Sequence, residues 1–304
     1  MMPSLPATPT RLAHLGILRF SGADALSFLQ GQISNDTQRL AGNETLFAAY
    51  STAQGRVLAL IYLLPHSSGV AAILPREILQ PTLERMRKFV LRAKVRIEDA
   101  GESLVVGGSF GADPVAAQGY VEQDGMGMAP VGHDPIRRWV IGPPQAFAAA
   151  AAAEDSESAW RLADIHAGLP QIYAATSEAF VAQMLNLDLL DGISFTKGCY
   201  TGQEIIARTQ HLGRIKRRLH RLQLPSGSWR IGQALRLTDG RQGRLTEVIE
   251  SGGRTEALAV LNLEANPSAA NEANAPVAAE EPGELVQASE LPLPYSLLGT
   301  HVRE

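Results

Sequence analysis

The apolar patterning of the chain changes character near residue 215, and this constrains the fold more than any other feature. Upstream, strand-like and helix-like runs alternate. Gly16–Phe20 reads as a strand, and Ser21-Gly22-Ala23-Asp24 then opens a helix with Ala25, Phe28 and Leu29 at i, i+3 and i+4, ended at Gly31-Gln32. Phe47–Ser51 and Val57–Leu64, joined through a turn at Gly55, read as a hairpin, with Val70–Leu74 as a further strand. Arg76–Leu91 is predicted as a second helix, since Ile78, Leu79, Leu83, Met86 and Val90 recur at helical spacing and Pro81 falls in its first turn. Val95–Ile97 and Leu104–Gly107 are expected strands, and Ala146–Ala153 a helix leading to Trp160. Such alternation specifies two-layer α+β packing.

From Leu219 the helices stop. Leu219–Leu224, Ala234–Leu237, Gly243–Ile249 and Ala257–Leu263 are short strands separated by Gly, Asp and Ser, the pattern of a small antiparallel barrel. The expected division is an α+β region over residues 1–212, which admits two subdomains, and a barrel over 213–304. Residues 264–284, rich in Ala, Asn, Pro and Glu, read as a loop or disordered insertion in that barrel. Val286 and Leu291–Leu298 then resume apolar character and return the chain to it.

Composition excludes several functions. Hydrophobic residues make up 45% of the 304, enough for a sizeable core, and the net charge of −4 leaves no global basic field, so any anion site must be local. With Cys199 as the sole cysteine, an intramolecular disulfide and a Cys-rich metal site are both ruled out. The seven histidines lack the spacing a zinc site needs, and no GxGxxG or P-loop is present. Met1–Thr10 has no basic segment followed by an apolar run, and the uncharged stretch Val57–Pro75 is broken at Pro65–Gly69. A cytoplasmic protein is expected.

One segment carries chemistry. Lys197-Gly198-Cys199-Tyr200-Thr201-Gly202-Gln203-Glu204 sets the lone thiol between glycines and beside a cation. Thr201 and Glu204 fit a capping box, which places Cys199 just ahead of a helix N-terminus that favours an anion. In an extended backbone Lys197 and Cys199 project to the same side, and the ammonium then favours thiolate. Gly198 and Gly202 permit a tight turn or close approach to a ligand. The alternative is a small buried residue in a strand-to-helix turn, the usual place for a free cysteine.

This octapeptide resembles the signature of the YgfZ family, folate-binding proteins similar to the glycine-cleavage T protein and tied to iron–sulfur cluster maintenance. Phe20–Thr37, notably Gly22-Ala23-Asp24 and Leu29-Gln30-Gly31-Gln32, together with Trp160–Pro170, Asn186–Phe195, Ala207-Arg208 and Lys216-Arg217-Arg218, extends the resemblance over most of residues 15–221. It implies an α+β, aminomethyltransferase-like body that cradles folate, followed by a C-terminal antiparallel β-barrel. Tetrahydrofolate is the implied ligand, with no stably bound metal or cluster. The implied role is assembly or repair of iron–sulfur proteins, including radical enzymes that modify tRNA, with those proteins or their assembly machinery as partners. Carried over by residue, Cys199 and Lys197 are the reactive group and its neighbour, while Gly198, Tyr200, Gly202, Gln203 and Glu204 complete the functional loop. Trp160 matches a folate-associated tryptophan. Leu15 stands where the family's second folate-associated aromatic aligns, which removes one stacking partner for a pterin.

Other readings compete. Trp160 either stacks on a pterin or packs in the core. Asp164 and His166 are candidate pterin contacts, with a salt bridge and a satisfied neutral imidazole as their alternatives. A folate-dependent aminomethyl transferase needs a positioned acid or base, for which Asp36 and Asp164 are candidates. No acidic residue occurs from Ile205 to Thr238, and Arg85–Arg96 forms a second basic run. Either run is a solvated face or a seat for a folate tail, an acidic partner or tRNA; direct tRNA binding ranks last.

Overall fold

The structure is a computed structural model that describes residues 9–111, 119–132, 134–150, 154–211, 214–264 and 283–297. The expected boundary at Leu212, the interior of the insertion at 265–282 and the end of the Ala-rich run at 151–153 lie outside the described residues. In chain order the first elements are β1 (Thr10–Arg11), β2 (Leu15–Ser21), α1 (Ala25–Gln30), β3 (Leu46–Ser51), β4 (Val57–His66), β5 (Gly69–Pro75), α2 (Arg76–Arg87) and β6 (Arg96–Asp99). Then come β7 (Val105–Phe110), β8 (Val121–Gln123), β9 (Met126–Val131), β10 (Asp134–Gly142), α3 (Glu154–Ala167) and α4 (Gln203–His211). The last strands are β11 (Arg217–Leu224), β12 (Ala234–Leu237), β13 (Gln242–Ser251), β14 (Arg254–Asn262), β15 (Glu284–Val286) and β16 (Ser289–Leu291). No described helix is long and apolar enough to cross a membrane.

Three sheets result. The first has the order β3-β4-β5-β2-β6 and the second β1-β7-β10-β9-β8. Both are antiparallel throughout. The third, in the place of the expected barrel, runs β15-β12-β13-β14-β11-β16; its one parallel pairing joins β12 to β15. One apolar core connects all three through Leu18, Leu60, Trp139 and Leu258, and a satellite core of Leu222, Leu235, Leu245 and Leu261 fills the third sheet.

The β3–β4 hairpin forms as expected, with Gly55 at φ +70° in its turn. α2 is shorter than its periodicity suggested and stops at Arg87. The Arg87 guanidinium donates to the Ile97 carbonyl at 2.8 Å, and the chain turns back so that buried Ile97 can pair beside β2. The final strand also falls earlier than expected: β16 closes at Leu291, where Pro292 and Pro294 remove backbone donors. β8, β9 and β10 had no counterpart in the sequence reading.

α3 packs against β13 and β14 and ties the body to the third sheet. A register shift between Leu245 and Glu247 re-aims the strand and sends the buried Glu247 carboxylate toward α3. There it accepts from Arg161 at 2.5 Å and from the Tyr173 hydroxyl at 2.6 Å.

Candidate functional site

The loop that carries Cys199 is built on the segment that follows α1. Ser34 and Asn35 are fully buried, and their side chains hold two distant strands of chain together. The Ser34 hydroxyl donates to the Gly192 carbonyl at 2.6 Å, and the Asn35 amide donates to the carbonyls of Phe47 and Asp191 at 2.9 and 2.6 Å. Residues 191–201 are thereby laid against 31–35, with Ser194 N–H on the Ser34 carbonyl and Thr201 N–H on the Gly31 carbonyl.

Lys197 closes this seam. Its ammonium donates to the carbonyls of Gln30, Ile33 and Asn35 at 2.7, 2.8 and 2.8 Å, which uses all three of its N–H bonds. The Tyr200 ring lies 4.9 Å from the same nitrogen, and burial pushes the Tyr200 phenol up to about 12. Burial draws the Lys197 ammonium down to about 8, with Asp36 acting in the opposite direction.

Lys197 is thus engaged on backbone carbonyls rather than left free to face the thiol. Residues 195–197 form a bend rather than a strand, so the ammonium turns inward to three carbonyls while Cys199 is exposed. The buried-filler alternative for the thiol is overturned by that exposure. The capping box is also absent: α4 begins at Gln203, and the Thr201 hydroxyl faces the Gly31 carbonyl instead. Glu204 remains in the first turn of α4 and is exposed, where its charge complements the helix dipole.

The two glycines differ. Gly202 has φ +84°, and a Cβ there would stand 2.6 Å from the Thr52 carbonyl oxygen. Gly198 has neither restriction, and the space beside its Cα is open. Gly202→Ala is expected to cost about 2–3 kcal/mol, from left-handed strain plus displacement of the β3–β4 turn. Gly198→Ala is expected to leave stability within about 0.5 kcal/mol. Urea denaturation of the two variants checks the contrast.

A second cluster lies where the three sheets meet. Trp160, on α3, is 1% exposed and packs in the core rather than on an open wall. Its ring lies 5.0 Å from Trp139 and 5.6 Å from Phe110, and Tyr62 continues the cluster 5.1 Å from Trp139. Gly108 admits the indole: a Cβ there would meet its ring at 2.3 Å. The Arg137 guanidinium sits 5.0 Å over Trp160 and donates to the Asp164 carboxylate at 2.6 Å in a pair almost sealed from solvent. The indole nitrogens of Trp160 and Trp139 and the Tyr62 hydroxyl are buried without a hydrogen-bond partner among the described residues. Burial raises the Tyr62 phenol well above its ordinary value; Asp164 adds to this, and Arg137 opposes it.

The remaining candidates have other occupations. Asp36 caps the short helical turn Thr37–Gly42 by accepting from Gln38 N–H at 3.1 Å. His166 lies 3.2 Å from Glu256. Three arginines of the Ile205–Thr238 run meet acids from outside it. Arg218 meets Asp188 at 2.5 and 2.8 Å, Arg221 meets Glu256 at 2.7 Å, and Arg214 meets Glu264 at 2.5 Å. Leu15 is buried at the start of β2. Beside it a cleft of about 370 Å³ opens between His14, Glu77, Arg161, Tyr173 and Ile231. No group of three or more His, Cys, Asp or Glu side chains among the described residues is placed to hold a metal.

Arg137, Trp139 and Tyr62 were not among the residues singled out from sequence. The i, i+2 spacing of Arg137 and Trp139 in a strand puts both on one face, a signal that the run RRWVIG carries.

The three-sheet arrangement is that of the aminomethyltransferase T fold. The glycine cleavage system aminomethyltransferase T from Bartonella henselae superposes with a TM-score of 0.63 at 14% identity, covering 84% of this chain and 78% of that one. No family model matches the chain. Among whole-protein relatives, the tRNA-modifying protein YgfZ of Hamiltonella defensa is 30% identical over 281 residues, 86% of this chain and 81% of that protein. Its counterpart in Yersinia pestis strain Pestoides F is 31% identical over 288 residues, 85% of each chain, and that of Colwellia psychrerythraea 32% over 237. The chain belongs to the YgfZ family.

Proposed function

We propose that the protein binds tetrahydrofolate at the three-sheet junction and supports, through Cys199, the assembly or repair of iron–sulfur proteins, tRNA-modifying enzymes among them. The observation that carries the folate half is the trio of buried polar atoms without partners: two indole N–H groups and one phenol. Leaving such groups unpaired in a core costs about 1–3 kcal/mol each. A pterin ring, which presents a carbonyl, ring nitrogens and an amino group, supplies acceptors for the indoles and a partner for the phenol. Trp160 then acts through its N–H rather than as a stacking platform, since its neighbours already pack the ring, and Leu15 adds no aromatic face. The loop residues Gly198, Tyr200, Gly202, Gln203 and Glu204 hold Cys199 outward, where a partner reaches it. Lys197 serves as the peg of that loop.

Tetrahydrofolate brings one-carbon chemistry when bound; the chain's own residues bind and orient it. A transferase reading has less support, because Asp36 is committed to a helix cap and Asp164 to Arg137. The names of the relatives favour a tRNA-linked role, and the fold favours a folate ligand.

Complementation tests the function. In cells lacking their own copy, wild type is expected to restore iron–sulfur enzyme activity and the tRNA modifications that depend on it, and Cys199→Ser to restore less than a tenth at equal protein level. Full restoration by Cys199→Ser would remove the thiol from the account.

A further inference from the structure

Within the second basic run Arg96 meets Glu98 and Arg87 meets the Ile97 carbonyl, but three cations between them carry no acid. Between the end of α2 and the start of β6 the chain reads Lys88-Phe89-Val90-Leu91-Arg92-Ala93-Lys94-Val95, and no acid occurs from Arg85 to Ile97. Leu91 is 87% exposed and Phe89 45% exposed, the apolar centre of an otherwise charged surface. Lys88, Arg92 and Lys94 flank them along the chain, exposed and without a side-chain partner among the described residues. The nearby acids have partners other than these three ammonium and guanidinium groups. Glu98 takes Arg19 and Arg96, Glu84 takes Gln80, and Asp24 accepts the backbone N–H of Lys94 at 2.6 Å.

The segment is braced. Lys88, Phe89 and Val90 N–H groups close turns onto Arg85, Met86 and Arg87, and Asp24 N–H returns a bond to the Lys94 carbonyl. Gly22, at φ +109°, lies so close that a Cβ would stand 2.3 Å from the Lys94 oxygen. The contact at Gly22–Asp24 is also the entry to α1, whose far end at Gln30 and Gly31 supports Lys197 and Thr201. A helix of six residues is about 9 Å long, so the exposed segment and the Cys199 loop flank opposite ends of one short rigid element.

We propose that Phe89 and Leu91, rimmed by Lys88, Arg92 and Lys94, form a docking surface for an acidic, apolar-centred segment of a protein partner, which is thereby brought beside Cys199. An apolar centre with a charged rim is the anatomy of a protein interface. The uniform positive rim selects an acidic partner and steers its approach. A nucleic acid is disfavoured because Phe89 is the single aromatic side chain of the run, and Leu91, the most exposed member, offers no face on which a base can stack.

Site-directed photo-crosslinking tests the surface in the full-length protein in cells. A benzophenone side chain is placed at Leu91 and, as control, at Leu285, an exposed apolar position on β15. The expected result is at least tenfold more adduct at position 91, resistant to ribonuclease, with the crosslinked peptide mapping to a net-acidic segment of a protein. Lys88→Glu/Arg92→Glu/Lys94→Glu is expected to lower the yield at least tenfold, and Leu91→Asp to lower competition by the untagged protein equally. Both variants should keep the unfolding midpoint and tetrahydrofolate affinity of wild type. An RNA adduct, a crosslinked segment without acidic excess, or equal yields at 91 and 285 would overturn the proposal. Because tetrahydrofolate affinity is read separately, loss of folate binding with the crosslink intact would count against the folate seat alone.

Discussion

Lys197→Met is expected to destabilise the protein by about 3–5 kcal/mol, although Lys197 stands beside an exposed thiol and resembles a reactive-site residue. The reason is the seam it closes. Gln30, Ile33 and Asn35 turn their carbonyls to one ammonium, and methionine fills the volume while leaving all three without a donor. Lys197→Arg is not expected to rescue, because a planar fork cannot meet three carbonyls converging on a point. The pH dependence has a defined sign. Burial holds the folded-state value near 8, below the free-chain 10.5, so the folded protein releases this proton more readily. Wild type should gain stability from this group as pH rises from about 8 towards 10.5, and Lys197→Met should lack that gain. Urea titrations at pH 7.5 and 9.5 measure both effects.

Asp164→Asn carries the second large effect, about 3–5 kcal/mol, because it removes the carboxylate charge 2.6 Å from a guanidinium in a site almost closed to water. Removing both charges should cost much less. Arg137→Met/Asp164→Leu exchanges a buried ion pair for apolar volume and is expected to lie within about 2 kcal/mol of wild type. The double variant thus separates the pair's part in stability from its part at the junction: a stable protein that no longer binds tetrahydrofolate places the charges in the ligand site.

Much of this architecture is legible in local pattern, and the failures have physical causes. The β3–β4 hairpin follows from alternating apolar runs around Gly55, and α2 begins directly after Pro75, with Pro81 inside it at the sixth residue rather than in its first turn. α2 ends early because a tertiary contact, Arg87 to Ile97, outweighs a periodicity that continues to Val90. β8 and β9 escaped notice because residues 119–132 are rich in glycine and polar residues, and their strand character comes from pairing with β10. At the site, the octapeptide around Cys199 marked the functional loop. Local alternation nevertheless gave the wrong direction for Lys197, whose partners lie more than 160 residues upstream. Trp160 was identified by resemblance, yet Trp139, against its ring, and Tyr62, against Trp139, come from two different sheets, and no spacing along the chain connects them.

Calorimetric titration with tetrahydrofolate tests the central claim most directly. Wild type should bind at one site per chain. Trp160→Phe, which keeps an aromatic ring but removes the indole N–H, and Tyr62→Phe should each weaken binding about tenfold, the loss of one buried hydrogen bond. Equal affinity in all three proteins would contradict the account and move the ligand away from the junction.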